Sequence, residues 1–156
     1  MFREMRRFNQ QLTREECEKI LRDQKRGVLA VFGDGGYPYA VPLNYVYTDG
    51  CICFHSALQG HKLDAIRACE KGSFNVLSQG ELSDDGWSYY FKSVTAFGRL
   101  RVIGDDVKRK DILRSLGNKY FPTREMTEND IAKNAERCAV IELKIEHMTG
   151  KRVHER

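Results

Sequence analysis

Residues 37–66 read YPYAVPLNYVYTDGCICFHSALQGHKLDAI, and the changes of pattern within them decide the fold. From 37 to 47 the residues favour strands, with Leu43, Tyr45 and Tyr47 on one face and Pro42, Asn44 and Val46 on the other. Thr48-Asp49-Gly50 then offers the positive-φ pair that a tight turn between right-twisted strands needs, and residues 51–55 run back as a second strand. Pro42 suits an edge position, because it has no N–H to give to a neighbour. After the hairpin come Ser56, Gly60, His61 and Lys62, which lead into a helix over 61–71 carrying Leu63, Ile66 and Cys69 at helical spacing.

A helix start reached in this way suits an anion. Unsatisfied N–H groups and the positive end of the helix dipole point outward there, Gly60 lets a ligand approach the backbone, and Lys62 adds a full charge. The strand before the turn offers donors and acceptors to a flat heterocycle. Taken alone, a bare S-x-x-x-G-x-K pattern is more often a solvated loop with an ordinary surface lysine.

The flanking sequence supplies the scaffold. Thr13 and Glu16 form a capping box for a helix over 13–25, closed by Gly27, and 28–32 is a short apolar strand. Gly33 to Gly36 turn it into the 37–47 strand, so the first three strands make an antiparallel meander. Gly72 ends the second helix and 73–78 is a further strand. A polar loop over 79–86 precedes a long strand from 87 to 103, in which Gly98 allows a bulge. Asp105 and Asp106 cap a helix carrying Ile112, Leu113, Leu116 and Tyr120, a shorter helix covers 127–136, and 140–146 alternates as a strand with one wet face. Hairpins interrupted by helices without βαβ alternation, and the lack of a G-x-G-x-x-G fingerprint, indicate an α+β or β-barrel domain rather than a dinucleotide-binding α/β fold.

At 156 residues the chain is read as one domain, 1–156, with an N-terminal arm over 1–10 and a C-terminal tail over 147–156. Neither a membrane-spanning run nor a leader pattern is read in it, and the five irregularly placed cysteines do not describe a disulfide framework, so a cytoplasmic protein with reduced thiols is expected. The net charge of +4, from 26 basic and 22 acidic residues, comes without a nucleic-acid recognition motif, and nucleic acid is not expected as a partner. Cys51, Cys53 and His55 share one strand face with His61 nearby, which raises zinc as a rival, although zinc sites favour knuckle spacings over strand spacing. No nucleophile elbow or protease cysteine is present.

FREMRR, GYPYAVPLNYVY, FHSALQGHKLDAI, YYFKSVTAFGRLRV and IELKIEHMTGK together resemble the nitroimidazole-resistance branch of the pyridoxamine 5′-phosphate oxidase-like flavoproteins across nearly the whole chain. The resemblance implies a split antiparallel β-barrel with flanking helices, a homodimer, and FMN at the subunit interface. It implies that the strand matching Val41, Pro42, Leu43, Asn44, Tyr45 and Val46 runs along the flavin. It places His55 and Ser56 near the phosphate-bearing chain, and Gly60, His61 and Lys62 at the phosphate. Ser93 approaches the ring system. The chain departs from the oxidase in having His61-Lys62 for a basic pair, Ser93 for a glutamine, and no C-terminal tryptophan and arginine contacts. The implied activity is an FMN-dependent oxidoreductase passing electrons from a small-molecule donor to a small acceptor such as a nitroaromatic, with His55 as candidate proton donor. The competing class is a flavin- or haem-binding protein that stores or senses its ligand without turnover, with His55 or His147 as a haem ligand.

Overall fold

The computed structural model describes residues 2–154. Helix α1 (Arg14–Asp23) opens on the expected capping box: Glu16 N–H donates to Thr13 Oγ1 at 3.2 Å and Thr13 N–H donates to Glu16 Oε2 at 3.0 Å. Its apolar stripe buries Cys17, Ile20 and Leu21. Strands β1 (Arg26–Phe32), β2 (Pro38–Asn44), β3 (Val46–Thr48) and β4 (Cys51–Ala57) follow, with Asp49 and Gly50 both at positive φ in the turn between the last two. Helix α2 (His61–Ala68) leads to β5 (Lys71–Leu77), the two-residue β6 (Glu81–Leu82) and the long β7 (Tyr89–Val102). Helices α3 (Asp106–Tyr120) and α4 (Arg124–Asn134) precede β8 (Cys138–His154).

All the ladders are antiparallel, in the order β2-β1-β5-β7-β8-β4-β3 with β6 added to β7. The two ends of that order are consecutive in the chain, separated only by Tyr45. The sheet therefore curls until its first and last strands meet at that residue, giving a split antiparallel barrel flanked by helices.

Tyr45 is wholly buried and belongs to neither flanking strand, so its peptide groups need partners from outside the sheet. Tyr120 supplies them from the end of α3. Its hydroxyl accepts from Tyr45 N–H at 2.9 Å, and its one proton is shared between the carbonyl oxygens of Tyr45, at 2.8 Å, and Lys25.

The barrel interior is filled by Leu29, Tyr45, Phe54, Phe74, Val94 and Leu143, among others. A second apolar layer lies outside it, where Cys53 and Val140 meet Ile103, Ile112 and Leu116 beneath α3. The wet face expected of the last strand holds at Lys144 and Glu146, which are exposed, but not at Glu142, which this layer buries between Arg101 (2.7 Å) and Lys108 (2.6 Å). That strand also runs on to His154, so the segment expected as a tail pairs along residues 90–97 of β7. The expected bulge is present, but the extra residue is Glu146 in β8, while Gly98 is the point of closest approach, where a Cβ would stand 2.0 Å from Lys144 O.

Burial by itself would raise the pKa of Glu142, but the hydrogen bonds from Lys108 and Arg101 outweigh it and hold the carboxyl below its usual range. A folded pKa below the unfolded one adds stability above the unfolded pKa of about 4.3, and that stability is lost as pH falls through the folded value. Glu142→Gln is therefore expected to lower the unfolding free energy at pH 7 by about 1.5–3 kcal/mol. Thermal unfolding should show the wild-type and variant curves converging as the pH is brought down through the carboxylate range. A gap that persists undiminished in acid would mean that the ion pairs contribute nothing.

Candidate functional site

The ladder between β3 and β4 pairs Val46 with Cys53 and goes no further. Continued by one step and another, the same register would set Asn44 opposite His55. Instead β2 turns away to pair with β1 and β4 continues along β8. Below Tyr45 the two strands form the prongs of a fork, each paired on its outer side and each presenting backbone N–H and C=O groups toward the gap. Pro42 sits on the prong with the open edge, where its missing N–H costs no ladder bond. The far end of the gap lies roughly 16 Å from the fork point at Asn44, five strand residues down at Tyr39.

There α2 closes it. The ring of His61 stacks on Tyr39 with centroids 4.2 Å apart, and its Nε2 accepts from Asp34 N–H at 3.4 Å, which ties the start of the helix to the β1–β2 turn. Gly60 is the N-cap at φ 130, and no side chain caps the helix, so its first N–H groups face outward. Lys62 is half-buried, and burial alone, with no charge set against it, pushes its ammonium below the usual lysine range. A desolvated cation beside uncapped N–H groups is a receptor for a phosphate-sized anion.

At the fork, Asn44 and His55 line one cavity of about 490 Å³ that extends beneath α3 and α4. His55 is exposed and Ser56 half-buried. Cys51 and Cys53 do share the outward face of β4 with His55, but they are packed in the second apolar layer. Burial pushes the Cys53 thiol up to about 12, with Glu142 adding to the effect, and raises Cys51 as well. Such thiols hold their protons in the metal-free chain. His61 is taken up by Tyr39, and among the described residues no three His, Cys, Asp or Glu side chains are grouped to hold a metal ion.

The structure places Asn44 and His55 at one cavity, Ser56 next to His55 on β4, and Gly60, His61 and Lys62 at the start of the helix whose His61 stacks on Tyr39. Val41 and Leu43 turn their side chains onto the barrel core, so only their backbone can serve a ligand; Val46 turns onto the second layer and pairs with Cys53, and Tyr45 is the buried fork point whose peptide groups are taken by Tyr120. Ser93 is not brought to the gap of its own chain. It lies on β7 between Leu77 and Lys151, separated from β2 by β1 and β5 and from β4 by β8. Two contributors escape a reading by motif. Tyr39 is the platform for His61, and Tyr120 holds the fork from 75 residues away in the chain. Each is visible in sequence only as an aromatic at a core-facing position.

Residues 13–152 match the sequence profile of the family described as pyridoxamine 5′-phosphate oxidase. None of the curated proteins matches the chain. Among solved structures, one named as a candidate 5-nitroimidazole antibiotic resistance protein, from Bacteroides thetaiotaomicron, superposes with a TM-score of 0.79 at 18% identity, covering 92% of this chain and 87% of the other. A FAD-binding protein from Mesorhizobium loti gives 0.65 at 25% identity, over 92% and 96% of the two chains. The FAD and heme binding protein from Mycobacterium smegmatis gives 0.76 at 23%, over 94% and 74%. The first and third of these likenesses concern the fold alone. No helix among the described residues is long and apolar enough to cross a membrane, and all five cysteines are free.

Proposed function

This chain belongs to the pyridoxamine 5′-phosphate oxidase family, and we propose that it is a cytoplasmic, homodimeric, FMN-dependent oxidoreductase that takes electrons from a reduced donor and passes them to a small acceptor of the nitroaromatic class. The observation that carries this reading is the fork below Tyr45, which ends on an uncapped helix start with an uncompensated Lys62. A flat heterocycle with a phosphate on a flexible chain fits both parts at once. The FAD-binding neighbours support a flavin in this fold, and FAD is the competing form.

Lys62 and the N–H groups after Gly60 hold the phosphate, with His61 fixing the helix start on Tyr39. Backbone groups of 41–44 orient the ring system, with Tyr45 and Val46 closing the fork above it, and the barrel wall behind them excludes water from one face. Bound flavin supplies the two-electron chemistry that no side chain of this protein provides. His55, exposed and lining the same cavity as Asn44, is the imidazole placed to deliver a proton to the reduced acceptor. Ser93 of a second copy covers the open side of the ring, because within one chain it lies too many strands away.

The purified protein is expected to carry flavin or to take it up in equal proportion, as read from the visible absorption spectrum and from flavin fluorescence during titration with FMN and, separately, FAD. Anaerobic reduction of the complex by a reduced nicotinamide, and reoxidation by a nitroaromatic, then tests turnover. A colourless protein that quenches neither flavin would overturn the proposal. Tighter FAD binding would change the cofactor form while keeping the site, and bound flavin that no nicotinamide reduces would make the protein a flavin carrier.

A further inference from the structure

Asn44 and Tyr120 line two cavities at once. One is the cavity beneath α3 and α4, which reaches in as far as Thr127. The other, of about 540 Å³, is walled by Gln24 and Lys25 after α1, Arg26 at the start of β1, Leu77 at the end of β5, and the same Asn44 and Tyr120. Both charged side chains in this second wall are cationic. Arg26 stands opposite Asn44 in the register of β1 and β2, which makes it the strand neighbour of the residue at the fork.

Exposed lysines and arginines are ordinary on a protein surface, and the surroundings decide whether these two are more than that. On α1, just before them in the chain, Arg14 and Arg22 pair with Glu18, and Lys19 pairs with Asp23. On α3, Lys108, Arg109, Lys110 and Arg114 each hold a carboxylate. Lys25 and Arg26 are exposed, and neither has an acidic partner among the described residues. A third cation stands behind them. Lys119 donates to Gln24 O at 2.6 Å and to Leu21 O at 3.4 Å, with its ammonium 4.1 Å from the centre of the Tyr45 ring. Burial pushes that ammonium down to about 8, Asp23 works against the fall and Lys25 adds to it. Burial raises the Tyr120 hydroxyl, and Arg26 is among the groups that oppose the rise. The two charges therefore act on the wall of the cleft as well as on water. Cations set side by side without a carboxylate repel each other, and an anion entering the cleft relieves that repulsion.

We infer that Lys25 and Arg26 form a second anion site beside the fork, which takes the phosphate of a small phosphorylated molecule. Two adjacent cations match the double charge of a phosphate, and the amide of Asn44 adds a donor. The site is distinct from the one at Lys62, because the start of α2 lies at the far end of the gap, roughly 16 Å down the strand from Asn44. One phosphate cannot touch both. A molecule held here by its phosphate reaches the fork past Asn44 with its remaining part. That this molecule is the electron donor rests on the proposed function; that its phosphate binds does not.

Nicotinamide mononucleotide and nicotinamide riboside differ only by a phosphate, and calorimetric titration of the protein with each tests the site. The mononucleotide should bind about tenfold or more tightly than the riboside, by a margin that shrinks as salt is added. Replacing both cations, Lys25→Ala with Arg26→Ala, should remove that margin and leave the riboside and the Tm unchanged, since both side chains are exposed. The same titrations in Lys62→Ala keep the other anion site from answering for this one, and there the margin should persist. The site is overturned if the mononucleotide binds no more tightly than the riboside, if its advantage survives the double replacement, or if the advantage disappears with Lys62→Ala. Flavin titrations run in parallel keep the two conclusions apart. A phosphate preference without flavin binding sinks the proposed function and keeps this site, and a flavin that binds and is reduced without any phosphate preference does the reverse.

Discussion

Lys62→Ala is expected to weaken FMN binding by roughly ten- to a hundredfold while leaving riboflavin binding almost unchanged, because a charge-assisted hydrogen bond to an anion contributes about 1.5–3 kcal/mol and riboflavin lacks the phosphate. The fold itself should survive, as Lys62 is half-buried at a helix start and the apolar contacts of α2 are made by Leu63, Ala65 and Ile66. Desolvation lowers the pKa of this lysine in the ligand-free protein, and a phosphate set beside it would raise the pKa again. Protons are therefore taken up on binding, and FMN affinity should fall as pH rises through the ionisation of Lys62, sooner than it would for a solvated lysine. Paired fluorescence titrations with the two flavins across that pH range make the measurement. Equal losses for both ligands would show that Lys62 supports the loop rather than the anion. No loss for either would place the phosphate elsewhere.

Local chemistry made much of this architecture legible from sequence. The capping box at Thr13 and the positive-φ pair at Asp49-Gly50 are each written within a few residues and form as read, and the alternation of faces across Tyr45 holds, although the single strand read over 37–47 is two strands with different partners. Gly27 and Gly72 show where that kind of reading fails. Both look like helix stops, yet both lie inside strands, where a Cβ would collide with the ring of Phe74 or with Leu100. They mark close packing between distant segments, which a linear pattern cannot distinguish from a chain break. The second half of β8 was hidden for a related reason: HMTGKRVH has no alternation of its own, and it is a strand because β7 pairs with it.

The site divides in the same way. Gly60, His61 and Lys62 are contiguous and were visible as a group. The fork depends on Tyr120 satisfying the backbone of Tyr45 across 75 residues, and nothing near Tyr45 announces that the strand will break there. Thr127 is plainer still. It is wholly buried only because Gly117, lacking a side chain, lets α4 come close. Residues that carry charge for a ligand could be read, whereas residues that shape space by long-range contact could not.

Ala30→Glu is expected to convert the proposed dimer to a folded monomer and to weaken FMN binding at least a hundredfold. Ala30 lies on the outer face of β1, in a row that the strand registers extend through Ala40 of β2, Ser73 of β5 and Phe97 of β7. The outward positions of β1 and β2 around it are Val28, Phe32, Pro38, Ala40 and Pro42, with the polar pair Arg26 and Asn44 only at one end of the two strands, and Phe32 is 62% exposed. An antiparallel sheet face left to water ordinarily alternates polar residues outward, so this one is built to be covered. The residues are also small apart from Phe32 and Phe97, which lets a second sheet approach closely. A carboxylate carried into the centre of that contact would be buried without a partner and would cost several kcal/mol, enough to separate subunits of ordinary affinity. Flavin affinity should fall with it, because in the proposed dimer the cover over the open side of the ring comes from the second copy. Sedimentation velocity reports the subunit state, circular dichroism checks the fold, and Ala30→Ser, which adds little volume and no charge, should stay dimeric. A variant that remains a dimer would move the interface to another face, and a monomer that binds FMN as tightly as the wild type would show that one chain completes the site.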